Sequence, residues 1–146
     1  MARRSGKSGP KAAFKIAGSE RRASEIRLDP DAGDPDEGVS ISLKHYRREA
    51  ECFSDWSGPE LKKFALTIGK LGQLPVAQLR GHKALCAPHR YDAAAARFSW
   101  PDALSRDLAL YEIKVDPSNK ARIHGVFKGA VFFLIWLDRH HAVFPS

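Results

Sequence analysis

Residues 121–138 read ARIHGVFKGAVFFLIWLD, and how this stretch is paired decides the fold. Its second half, from Ala130 to Leu137, contains no charge and no proline. As an extended strand it sends Val131, Phe133, Ile135 and Leu137 to one side, and Phe132, Leu134 and Trp136 to the other. Both sides are then apolar, the pattern of a strand buried in the middle of a sheet. The run is too short to cross a bilayer as a helix. Ahead of it, residues 122–127 form a shorter strand-like run, and Lys128-Gly129 between the two supplies a tight turn. The stretch therefore predicts a β-hairpin at the centre of a small sheet.

Upstream, residues 108–115 alternate Leu110, Glu112 and Lys114 with Tyr111, Ile113 and Val115, which predicts a third strand ended by the turn Asp116-Pro117-Ser118-Asn119. Residues 39–45, VSISLKH, set Val39, Ile41 and Leu43 against polar neighbours and predict a half-buried strand. Between these lies a helix entry, Ser57-Gly58-Pro59-Glu60, with Ser57 as cap and Pro59 in the first turn. Leu61, Phe64, Ala65, Ile68 and Leu71 then recur at spacings of three and four, an amphipathic helix packed on the sheet and stopped at Gly72. A second short helix begins near Pro75, and residues 81–100 yield no definite element. The expected fold is α+β: a small, largely antiparallel sheet with a C-terminal hairpin, packed against one or two helices.

The 146 residues suit one domain over 39–146, preceded by a tail over 1–38 that is basic at first and then acidic and proline-rich, LDPDAGDPDEG. Few tail residues could enter a core, so the tail is expected to be flexible. Gly6-Lys7-Ser8 ends like a phosphate-binding loop, but the position five residues earlier, where such a loop needs glycine, is Met1, and no strand precedes it. A net charge of +7 is compatible with nucleic acid as a partner without requiring it. Two cysteines make no disulfide framework, and no apolar signal follows Met1, so a cytoplasmic location without membrane contact is expected.

The densest polar cluster is Asp138-Arg139-His140-His141, with Arg122 and His124 on the neighbouring strand. Arginine with histidine suits phosphodiester binding and proton transfer, so Arg122, His124, Arg139, His140 and His141 are the catalytic candidates if the protein cleaves RNA. The plainer expectation is that Asp138 caps a turn and pairs with Arg139 while the histidines face solvent, since no nucleophile–base pair is identifiable by spacing. For a metal, His45, Cys52, Cys86 and His89 are the four donors to consider. Cys86 and His89 have tolerable spacing, but His45 and Cys52 match no common zinc pattern. No metal and no cofactor are expected.

The ending Ala121-Arg122-Ile123-His124-Gly125, then Val131 to Asp138, then His141, resembles a group of small bacterial and phage proteins that share an R-x-x-G, apolar strand and W-x-D-x-x-H pattern. SISLKHY and LKKF…LGQL upstream are similar to theirs as well, so the likeness covers most of residues 39–145 but not the tail. Within the group the chain resembles the SocB family of toxins, which inhibit DNA replication. The resemblance implies a non-enzymatic toxin that binds the sliding clamp of the replicative DNA polymerase. It also implies a cognate antitoxin acting as an adaptor to the ClpXP protease. Clamp ligands of the Q-L-x-L-F kind point to Gln73, Leu74, Pro75 and Val76, although Val76 replaces a leucine and the terminal Leu/Phe is missing. At fold level the hairpin-rich C-terminus is similar to RelE/ParE-like toxins, and a RelE-like endoribonuclease is the alternative reading.

Overall fold

The computed structural model describes residues 37–89, 93–116 and 120–144. The elements run β1 (Ser40–Ser42), a 3₁₀ turn (Phe53–Asp55), α1 (Gly58–Leu71), α2 (Val76–Gly81), β2 (Cys86–Pro88), a second 3₁₀ turn (Ala93–Ala95), β3 (Leu110–Lys114), β4 (Arg122–Lys128) and β5 (Val131–Asp138). They form an α+β fold whose single five-stranded sheet has the order β1-β5-β4-β3-β2. The pairs β2–β3, β3–β4 and β4–β5 are antiparallel, and only β1 runs parallel to β5. The expectations for residues 1–36 and for the turn at 117–119 lie outside the described residues.

The β4–β5 hairpin is central, and every residue of β5 is buried. Lys128 pairs with Val131, so the connection is Gly129-Ala130, one residue later than the spacing suggests. Gly129 has φ 58°, the positive value that the first loop position of a type II′ turn requires. The simple two-fold alternation of β5 does not survive. His124 pairs with Trp136 but Gly125 pairs with Leu134, which leaves Ile135 as an extra, bulged residue. Its carbonyl is not lost, because the Arg47 amide donates to it at 2.8 Å. Past the bulge the faces exchange: Leu137 joins Phe132 and Leu134 on one side, and Trp136 joins Val131 and Phe133 on the other. Gly125 sits where this irregular pair closes. A Cβ there would stand 2.1 Å from the Phe133 carbonyl oxygen and 2.7 Å from the Phe132 ring.

One face of the sheet is covered by the helices. Ile113, Ile123, Phe132, Leu134 and Leu137 pack there with Phe64 and Leu71 of α1 and Leu79 of α2. α1 begins as its sequence dictates, with Ser57 and Glu60 forming a reciprocal capping box: the Glu60 amide donates to Ser57 Oγ and the Ser57 amide donates to Glu60 Oε1. The buried row is Phe64, Thr67 and Leu71, whereas Leu61, Ala65 and Ile68 face solvent. Helical periodicity alone therefore misplaces the helix about its axis. Two polar contacts set the rotation: the Thr67 hydroxyl has the Val115 carbonyl at 3.1 Å as acceptor, and Lys63 pairs with the buried Asp116. A buried carboxylate without its cation costs more than leaving two aliphatic side chains partly exposed.

The other face carries Leu110, Val126, Phe133, Ile135 and Trp136, covered by Ala93, Trp100, Val143 and Phe144. β1 is shorter than the alternation over 39–45 suggests, because Leu43 lies outside the ladder and is 52 % exposed. In the region 81–100, β2 is a three-residue edge strand closed by Pro88, a position where the missing amide costs no ladder bond.

Candidate functional site

The bulge at Ile135 has a chemical consequence. It turns Asp138 toward the face on which β4 places Arg122 and His124 and β3 places Glu112. His124 Nε2 lies 2.9 Å from Asp138 Oδ2, with the histidine 1 % and the aspartate 2 % exposed. Asp138 also accepts hydrogen bonds from the amides of Ala142 (2.8 Å) and Val143 (3.3 Å), so it caps the turn that brings the chain back over the sheet. Burial pushes the Asp138 carboxyl up. The hydrogen bonds from His124 and the two amides outweigh it and hold the group below the usual carboxylate range.

Beside this pair, Arg122 Nη1 donates to Glu112 Oε2 at 3.1 Å, and His89 Nε2 lies 3.7 Å from the same oxygen. Glu112 faces His124 across the β3–β4 ladder, and the His89 amide donates to Leu110 O, extending the β2 edge by one residue. A ring nitrogen of His89, a ring nitrogen of His124 and a carboxylate oxygen of Glu112 all lie within 4.8 Å of one another. Phe144 closes the cluster from above, its ring centroid 4.2 Å from that of His89 and 5.2 Å from that of His124.

The five candidate catalytic residues are thus divided. Arg122 and His124 are together. Arg139 points elsewhere: its Nε donates to Glu51 Oε2 at 3.0 Å and its Nη1 to Glu60 Oε1 at 3.4 Å, while Trp56 Nε1 donates to Glu51 at 2.7 Å. It joins the end of β5 to the start of α1. The expected Asp138–Arg139 pair is replaced by Asp138–His124, because neighbouring side chains along a strand point to opposite faces and the bulge puts the aspartate on the face of His124. His140 and His141 are exposed, and His141 takes φ 59° at the tight turn. Partial burial and the nearby Arg122 charge hold His141 below the usual histidine range.

His124 departs from the expectation of solvated histidines, since a central position on β4 buries it. Glu112 is the member that sequence reasoning misses, and His89 enters it only as a partner of Cys86. The alternation of residues 108–115 does put Glu112 on the polar side, but which side chain stands opposite depends on strand pairing. The quartet His45, Cys52, Cys86 and His89 is not assembled. Cys86 is buried in the helix-side core, where burial raises its thiol to about 11; Cys52 precedes the first 3₁₀ turn; and His45 lies against the Phe133 ring at 5.5 Å.

Of the clamp-binding candidates, Gln73 is exposed, Pro75 caps α2, and Leu74 and Val76 are half-buried against the helix-side core. A depression of about 460 Å³ on the face that carries Val126 and Phe133 is lined by these two residues, Leu108, Lys44 and Lys128. Among the described residues no helix is long and apolar enough to cross a membrane. Compared with protein-family models, curated proteins and solved structures, the chain matches none.

Proposed function

We propose that this protein is a protein-binding inhibitor: a toxin of a bacterial toxin–antitoxin system that blocks DNA replication by occupying the sliding clamp of the replicative polymerase. In this reading an antitoxin restrains it by delivering it to ClpXP. The observation that carries the reading is the row Leu61, Ala65 and Ile68 on α1. Leu61 is 37 % and Ile68 42 % exposed, and the helix runs out into the exposed Gln73. A clamp cleft takes a glutamine with spaced apolar side chains; here the apolar side chains stand on a helix and the glutamine follows its end instead of leading. Leu74 and Val76 spend their apolar surface on the core, so the anchor moves from Gln73–Val76 to Gln73 with Leu61 and Ile68. The SocB resemblance supports the choice of partner.

Titration of purified clamp with the full chain tests this. Leu61→Ser with Ile68→Ser and Gln73→Ala should weaken binding by about tenfold to a hundredfold, since a buried aliphatic side chain is worth about 1.5–3 kcal/mol and these are already partly covered. The melting temperature should hold, because all three side chains are exposed. A wild-type chain that does not bind the clamp, or a triple variant that binds it normally, defeats the proposal. The RelE-like endoribonuclease is the second reading, favoured by Arg122 beside His124. RNA cleavage by the wild type that is lost in Arg122→Ala would establish it instead.

A further inference from the structure

The cluster built from β3, β4 and the residue just past β2 has one feature that its ion pairs do not satisfy. His124 is buried, its Nε2 is taken by Asp138, and its Nδ1 has no hydrogen-bond partner among the described residues. A polar atom stranded in the interior costs about 1–3 kcal/mol, and pairing Asp138 occupies only the other ring nitrogen. An imidazole held through one nitrogen by a buried carboxylate, with a lone pair left on the other, is the arrangement of a metal-ligating histidine and the carboxylate behind it. The remaining donors are at hand: an imidazole nitrogen of His89 and a carboxylate oxygen of Glu112 fall with a His124 nitrogen inside one 4.8 Å set.

We propose that His89, Glu112 and His124 bind one divalent transition-metal cation of the zinc class, with Asp138 orienting His124. Two imidazoles and one carboxylate select such an ion over magnesium or calcium, which take oxygen donors. Donors about 2.0–2.2 Å from a tetrahedral ion stand about 3.3 Å apart. The His89–Glu112 separation of 3.7 Å is close to that, and all three donor atoms lie within 4.8 Å of one another. The Glu112 oxygen facing His89 is Oε2, which Arg122 Nη1 also holds, and a carboxylate oxygen has lone pairs for both. Three protein ligands leave a fourth position for water or an anion, with the Arg122 guanidinium beside it. The ion would tie the edge strand β2 to the centre of the sheet beneath Phe144. The inference does not depend on which partner the protein has.

The test is titration of the metal-free full chain with zinc against a chromophoric chelator, with cobalt as a spectroscopic probe. The wild type should bind one zinc per chain, rise in melting temperature on binding, and give the visible absorption of a low-coordinate cobalt site. His124→Ala can fail to fold by stripping Asp138 of its partner, so the deciding variants are His89→Ala and Glu112→Gln, whose side chains lie nearer the rim. Each should fold, lose tenfold or more in affinity, and lose the zinc-induced rise in melting temperature. The pair His140→Ala with His141→Ala should bind as the wild type does. Failure of the wild type to bind zinc stoichiometrically, or unchanged binding in both His89→Ala and Glu112→Gln, overturns the site. So does loss of binding only in the His140/His141 pair.

Discussion

On one face of the sheet, α1 and α2 lay Phe64, Leu71 and Leu79 over Ile113, Ile123, Phe132, Leu134 and Leu137, and the layer is almost wholly apolar. On the other, irregular chain from Ala93 to Leu104 and the returning C-terminal residues cover the sheet, and a buried polar group sits under Phe144. The difference follows from what each cover can satisfy. A helix pairs its own backbone groups internally, so it can be laid on a dry surface. A returning irregular segment brings free amides with it, and those of Ala142 and Val143 need acceptors. Asp138 supplies them from the sheet, and His124 holds Asp138 charged. The helix face is therefore stabilised by area, and the strap face by a small number of polar contacts that act together.

The most severe test of the first half of this contrast is Leu134→Asp, which puts an unpaired charge into the apolar layer. It should abolish the cooperative thermal transition; a variant with a normal melt would mean that Leu134 is not in the core. Asp138→Ala comes next. It strands His124 and two amides together and should cost about 3–5 kcal/mol in urea denaturation. The loss should appear first as a change in Trp136 fluorescence, with helical circular dichroism retained. Simultaneous loss of both signals would show that the two faces do not differ in the way described.

Gly125→Ala probes the bulge between the faces. The new methyl group meets a backbone carbonyl and the Phe132 ring, neither of which can yield easily, and about 1–3 kcal/mol should be lost. An unchanged denaturation midpoint would place the bulge elsewhere. Arg139→Ala should cost about 1–3 kcal/mol by taking the guanidinium from Glu51 and Glu60, leaving Glu51 with Trp56 and the amide of residue 139, and loosening the start of α1. A stability unchanged by this substitution would assign Arg139 to function instead.

The smallest effect belongs to Cys86, whose thiol is raised from 9.0 to about 11, first by burial. The unfolded chain releases this proton before the folded chain does. Its contribution to stability is therefore intact below about pH 9 and is lost as pH rises towards about 11. The slope is at most about 1.4 kcal/mol per pH unit. Cys86→Ala should flatten the alkaline limb of the stability profile, and Cys52, whose thiol is lowered by the Ser54 hydroxyl and amide, should be alkylated well before Cys86. Equal alkylation rates in the folded chain would contradict the burial of Cys86.

Local chemistry along the chain was enough to specify the central hairpin, the capped helix α1 with its stop at Gly72, the short α2 and the strand β3. Each rests on a signal carried by near neighbours: an unbroken apolar run, a Ser-x-x-Glu box, a proline at a helix start, a two-residue period. Packing in three dimensions chose which way those elements face. One bulged residue reversed the sides of Trp136, Leu137 and Asp138. One ion pair and one hydroxyl turned α1 so that Thr67 is buried and Ile68 is not. One proline-ended edge strand, too short to show a period, brought His89 to Glu112. The polar site was legible only as far as Arg122, His124 and Asp138 sharing a hairpin. Its other members come from strands that meet them through pairing register, and register is set by the whole sheet rather than by any neighbour in the chain.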